Sequence, residues 1–268
     1  MKCELGLVQH FAYADSVRLT RERTLFNEVG ATAVRSYFPN DEVYWQGGKT
    51  LSDFGKHCIE LHFASWEGLN VYIGLNNDSR LTASENADCN EEIITLCASK
   101  NVKGYILGNE PDAWSARISD PAARASHRDW ALGVLEQIHR IHPKADCHWT
   151  ALHGWYDGLT ASEENQRQWA RFNFLWENES WLRTLGPCSN LYTSTGRLAA
   201  KAKPMRLAMV GEFNKRPGYP FQSGEIRELL NLPISVAFAY CLSSHVGYEL
   251  MSVGGVRDER KIAALRNR

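Results

Sequence analysis

The chain has 268 residues, 44% of them apolar, with 30 Lys and Arg against 31 Asp and Glu for a formal net charge of -1. That balance offers no long-range attraction for nucleic acid or an anionic membrane, and no run approaches the roughly 20 continuous apolar residues of a membrane span. The seven Cys (Cys3, Cys58, Cys89, Cys97, Cys147, Cys188, Cys241) include no C-x-x-C pair, which argues against a disulfide framework or a metal knuckle.

In chain order, Met1-Lys2-Cys3-Glu4 runs straight into an apolar strand over residues 5–9 without a signal-peptide pattern. A chain that stays cytoplasmic at synthesis, or leaves the cell by a non-signal route, is therefore expected, its cysteines acting as small buried hydrophobes. Residues 18–29 carry a helical stripe that ends at Gly30, in the position where a left-handed cap is wanted. A strand follows at 32–37, a helix at 52–66 and a strand at 71–75. Then come a short helix at 91–99, a strand at 104–107, a long helix at 122–142 that stops at Pro143, and a strand at 147–152. Ser162 caps a helix running to 185. Strands at 190–193 and 207–210 are separated by room for one or two helical turns. The pattern closes with an apolar helix at 232–242, a strand at 247–251 and a basic helix at 256–267.

Eight strands alternating with helices predict a parallel sheet. A doubly wound open sheet is the rival, but it binds its ligand at a glycine-rich first turn, and Gln9-His10-Phe11-Ala12-Tyr13 has no glycine. The expected fold is an α/β (β/α)8 TIM barrel, a single domain over residues 1–268.

Two strands end in a glutamate followed by a break: Tyr105-Ile106-Leu107-Gly108-Asn109-Glu110-Pro111 and Leu207-Ala208-Met209-Val210-Gly211-Glu212-Phe213. An ionised carboxylate at the tip of a buried strand costs free energy to desolvate, so its presence points to chemistry. Cleavage of a glycosidic bond is a reaction that uses two. The bland alternative is a pair of strand-end carboxylates matched to surface Lys or Arg. Other motifs fall away. His148 with His153, and His139 with His142, lack the H-E-x-x-H spacing of a zinc site, so no metal and no cofactor are expected. Gln46-Gly47-Gly48-Lys49-Thr50 imitates a phosphate loop, but Val43 stands where its first glycine belongs. An aldolase-like barrel would need a strand-end lysine, and Lys103 begins its strand.

From the second strand onward the pattern resembles the clan of retaining (β/α)8 glycoside hydrolases, nearest to its xylosidase-like and cellulase-like families. The likeness rests on Ala33-Val34-Arg35-Ser36-Tyr37-Phe38-Pro39 with Glu42-Val43-Tyr44-Trp45, on Gly108-Asn109-Glu110-Pro111, and on Gly211-Glu212-Phe213. The resemblance implies Glu110 as acid/base, Glu212 as nucleophile, and Asn109 bonded to a sugar hydroxyl beside the reacting carbon. It also implies Tyr192 meeting the nucleophile, while Arg35 at the end of the second strand either holds Glu212 ionised or makes a structural barrel-end ion pair. Among the loop aromatics Trp45, Trp114, Trp149, Trp155 and Tyr156, Trp155 is the choice for stacking on a sugar because it directly follows the fifth strand. His153 is either a sugar contact or a satisfied buried histidine.

The sixth strand lacks the His-Pro-Tyr common in the clan, and the segment taken as the eighth, Tyr248-Glu249-Leu250-Met251, lacks its Trp. The expected function is retaining hydrolysis of a β-linked glycoside or polysaccharide, bacterial wall or capsule polymer included, by a monomer whose partner is its carbohydrate substrate. The alternative is a non-catalytic carbohydrate-binding or structural barrel.

Overall fold

Apolar runs too short for a stable helix but rich in Val, Ile, Phe and Tyr supply the strands, and striped segments between them supply the helices. The computed structural model describes residues 2–11, 15–37, 44–46, 50–75, 81–108, 121–153, 186–193, 198–203, 207–215, 219, 221–242, 249–252 and 254–268. Along the chain these form β1 (Glu4–Val8), α1 (Ser16–Val29), β2 (Ala33–Tyr37), β3 (Trp45–Gln46), β4 (Thr50–Leu51), α2 (Asp53–Ser65), β5 (Asn70–Leu75) and α3 (Ala83–Ala98). Then follow β6 (Val102–Leu107), α4 (Pro121–Ile141), β7 (Asp146–His153), β8 (Gly186–Thr193), α5 (Leu198–Ala202), β9 (Met209–Lys215), α6 (Ser223–Leu230), β10 (Val236–Ala239) and α7 (Glu259–Arg266).

Eight strands close into a barrel in the order β1-β10-β9-β8-β7-β6-β5-β2, all paired in parallel, and β2 returns to β1 with Val8 opposite Arg35. The expected (β/α)8 architecture is borne out. The short β3 and β4 form a separate antiparallel hairpin, with Trp45 opposite Leu51.

Two shells of side chains hold the barrel. Inside it, Val8, Ala33, Tyr72, Ile106, Cys188, Met209, Val236 and Phe238 form one cluster. The other strand faces pack outward on the helices, where Leu7, Val34, Ile73 and Phe213 share a core with Leu25, Phe26, Ile59 and Ile94. Each fully buried side chain of this size contributes about 1.5–3 kcal/mol. Helix ends are closed locally. Val17 N and Arg18 N donate to the Asp15 carboxylate at 3.0 and 3.1 Å, and Gly30 takes the left-handed cap of α1 at φ 62°. Thr82 and Glu85 form a capping box at α3.

The last third of the barrel departs from expectation. Residues 232–242, expected to be a helix, hold the eighth barrel strand, β10, paired to β1 through Glu4 and Val236. An apolar run buried on both faces has no periodicity that distinguishes helix from strand, and Pro233, lacking an N–H, ends any helix before it. The helix before this strand is α6, which carries Ile226, Leu229 and Leu230 inward. Of the segment expected as the last strand, 247 and 248 lie outside the described residues, and Met251 makes only an isolated antiparallel bridge with Arg257. Helix α3 begins eight residues earlier than the helix expected at 91–99, because Asn86, Asp88 and Asn90 dilute its stripe. The helix expected over 162–185 lies outside the described residues.

Candidate active site

The site is built around β9. Val210 and Phe213 both belong to the outer core although three positions apart, where a regular strand returns to the same face after two. Both neighbours register the irregularity. Ser189 and Asn190 of β8 face Val210 and Glu212, while Ala237 and Ala239 of β10 face Val210 and Phe213. Gly211 is thus an inserted residue, a β-bulge that re-aims the next side chain. Glu212 turns into the barrel mouth, only 4% exposed.

A buried carboxylate needs donors, and three strands bring them. From β2, Tyr37 donates its hydroxyl to Glu212 Oε1 at 2.8 Å. From β8, the Tyr192 hydroxyl donates to Oε2. Arg35 places Nη1 3.5 Å from Oε1, an ion pair longer than a hydrogen bond, and donates from the same nitrogen to Asn190 Oδ1 at 3.2 Å. Arg35 is fully buried and sits within β2, two residues short of the strand end where it was expected. It reaches across the barrel because Gly211 has no side chain; a Cβ there would strike the guanidinium and lie 2.7 Å from Cys188 Sγ.

Aromatic rings surround the carboxylate. The Arg35 Cζ lies 4.7 Å from the Tyr37 ring centroid, a cation–π contact. His10, just beyond β1, stacks on Tyr37 at 6.1 Å and meets the edge of Tyr240, just beyond β10, at 5.7 Å. Tyr240 in turn packs edge-on against Tyr192 at 5.9 Å. Behind Glu212, Asn214 donates to the Tyr240 carbonyl. Lys215 pairs at 2.7 Å with Glu225, the first acidic residue of α6, which also accepts the Leu198 N–H at 3.2 Å. These bonds tie β9 to β10, α5 and α6.

The residues expected from sequence divide as follows. Glu212, Arg35 and Tyr192 meet at one point. Glu110, Asn109 and Trp155 lie outside the described residues; the chain is described as far as Gly108, which leaves β6 at φ 73°. His153 ends β7 with its backbone opposite Asn190, and its side chain lies outside the described residues. Trp149 is buried in the outer core, and Trp45 packs against it. Sequence reading missed Tyr37, Asn190, His10 and Tyr240. Tyr37 shares a strand face with Arg35 two positions away, but a tyrosine on a strand gives no signal of its own. Tyr240 was hidden by the misplaced last strand. Among the described residues, no group of three or more His, Cys, Asp or Glu side chains could hold a metal ion, and no helix is long and apolar enough to cross a membrane.

No protein-family model matches the sequence, and no curated protein matches it. Solved structures do. The family 1 β-glucosidase from Thermotoga maritima is 10% identical, with 98% of this chain and 97% of that one covered at a TM-score of 0.64. The β-glycosidase BGL167 is 12% identical over 98% and 96% at 0.69. A family 39 glycoside hydrolase from Bacteroides cellulosilyticus WH2 is 11% identical over 99% of this chain and 64% of that one at 0.65. At such identities the likeness is one of fold, and it agrees with the barrel resemblance read from the sequence.

Proposed function

We propose that this chain is a β-glycoside hydrolase that works with retention, with Glu212 as nucleophile and Glu110 as acid/base. The observation that carries the reading is Glu212 itself: a carboxylate turned into the barrel mouth by a bulge and met by two phenol hydroxyls and a guanidinium. Active sites of this fold lie toward the C-terminal ends of the strands; β9, expected at 207–210, runs on to Lys215, so Glu212 sits three residues before its end. The fold matches are β-glycosidases, which supports the same reaction class by analogy.

In the first step a Glu212 oxygen bonds to the anomeric carbon as the bond to the leaving oxygen breaks, and that oxygen takes the Glu110 proton. In the second, Glu110 as carboxylate takes a proton from water, the water oxygen bonds to the anomeric carbon, and Glu212 departs as carboxylate. The two carboxyls stand about 5–5.5 Å apart in this chemistry. Arg35 and the tyrosines favour the ionised form of Glu212 before attack and after release. Asn109 would bond the hydroxyl beside the reacting carbon, and Trp155 and His153 would contact the sugar.

The test is turnover of a panel of aryl β-glycosides by wild type, Glu212→Gln and Glu110→Gln. Loss of a nucleophile lowers kcat on the order of 10⁴-fold or more. Azide added to Glu212→Ala should restore turnover and give the α-glycosyl azide, whereas azide added to Glu110→Ala should give the β-azide. Full activity in Glu212→Gln refutes the assignment. A wild type that binds oligosaccharide without cleaving it is a non-catalytic barrel.

A further inference from the structure

Strand β2 brings a second residue to Glu212 besides Arg35. Tyr37 follows it by two positions on the same strand face, and its ring is fixed from several sides. Beneath it lies Gly74 of β5, paired with it in register. A Cβ on Gly74 would lie 3.3 Å from Tyr37 Cγ and closer still to two other ring carbons. Arg35 covers one part of the ring at 4.7 Å and His10 stacks on it at an interplanar angle of 22°. A ring so held has little rotamer freedom left to lose, and it delivers its hydroxyl to Glu212 Oε1 at 2.8 Å.

We propose that Tyr37 is a positioning residue that holds Glu212 by Oε1, so that Oε2, on the Tyr192 side, is the atom that bonds to the anomeric carbon. The inference rests on the glycosidase reading above. Oε1 is the oxygen facing both Arg35 and Tyr37. Esterifying it would remove charge from the atom that the guanidinium faces. When Oε2 forms the ester instead, Oε1 becomes the carbonyl oxygen and keeps the Tyr37 hydrogen bond. On release of the sugar the charge returns to a carboxylate whose donors are already in place, so little reorganisation is required. Gly74 and His10 act one step further out, by fixing the ring.

Tyr37→Phe removes the hydroxyl and leaves the packing. Its expected effect is a kcat lower by about 10- to 100-fold, the loss of one hydrogen bond to a charged group. The acidic limb of the pH–rate profile should move to higher pH. Gly74→Ala, which displaces the ring without touching Glu212, should reproduce the kinetic change. A purely structural tyrosine would leave the pH profile in place, which overturns the proposal. So does a crystal structure of an enzyme trapped by an activated 2-deoxy-2-fluoro-β-glycoside in which the ester oxygen faces Tyr37. Titration of the ¹³C-labelled Glu212 carboxyl separates the two claims. If wild type neither turns over nor is trapped, the glycosidase reading fails. If the Glu212 titration is the same in wild type and Tyr37→Phe, the role of Tyr37 fails whatever the activity.

Discussion

Replacing Gly211 with alanine puts a methyl group where three others already stand: the Arg35 guanidinium, Cys188 Sγ at 2.7 Å and Asn190 Oδ1 at 2.8 Å. None can retreat freely, because Arg35, Cys188 and Asn190 are all fully buried. Overpacking of this kind costs about 1–3 kcal/mol. Displacing Arg35 from Asn190 also loses a charge-assisted bond of about 1.5–3 kcal/mol. A combined loss of roughly 3–5 kcal/mol corresponds, at ~2–3 °C per kcal/mol for a chain of this size, to a Tm lower by about 6–15 °C. Scanning calorimetry on Gly211→Ala, Cys188→Ala and the double variant checks the magnitude and its cause. Removing the sulfur should return part of the loss, as a coupling of at least about 0.5 kcal/mol. A Gly211→Ala protein melting within about 1 °C of wild type, as an ordinary surface substitution does, would refute the close approach.

Three further outcomes follow from buried groups. Glu225→Gln leaves the Lys215 ammonium buried without its carboxylate, 2.7 Å away in the native pair. It should cost about 3–5 kcal/mol, with much of this recovered in Lys215→Met/Glu225→Leu; equal stability of Glu225→Gln and wild type in urea would show the pair to be idle. His62 is held below its ordinary 6.5 by desolvation, against the Cys58 carbonyl and Glu22, while Arg18 adds to the lowering. As pH falls below about 6.5, the unfolded chain binds a proton that the folded chain resists, so stability drops until the folded pKa is reached. Tm should therefore fall less between about pH 7 and pH 5 in His62→Gln than in wild type, and equal slopes would exclude His62 as a source. Burial pushes the Cys147 thiol up to about 11 and the Cys3 thiol to about 12. Both should resist a disulfide reagent at about pH 8 until the chain unfolds, and stoichiometric labelling of native protein would contradict that protection.

Seven of the eight barrel strands were legible because their apolar runs are bracketed by clear helix stripes and stop signals, as at Gly30 and Pro143. The eighth was not. Val236-Ala237-Phe238-Ala239 is apolar on both faces, and its strand identity comes from pairing with β1 and β9, a tertiary fact absent from local periodicity. That error carried a second one with it, since the tip of the strand was sought near Tyr248 and Tyr240 was passed over. In the site, Glu212 announced itself as a charge closing an apolar run. Tyr37 carries no such conflict, because a tyrosine is at home on any strand. The bulge was invisible as well: Val210-Gly211-Glu212-Phe213 reads equally well as an unbroken ladder.

That inserted residue separates what the barrel needs from what the buried carboxylate needs. The sheet counts Val210 and Phe213 as consecutive outward positions and closes around them, so Gly211 and Glu212 share the inward stretch between them. Deleting Gly211 would restore strict alternation and leave a barrel with its ring of strands still joined. It would also seat Glu212 at the inward place Gly211 now holds, where a Cβ meets the Arg35 guanidinium and lies 2.7 Å from Cys188 Sγ. Gly211 thus gives β9 two successive inward places, one left empty for the Arg35 guanidinium and one filled by Glu212.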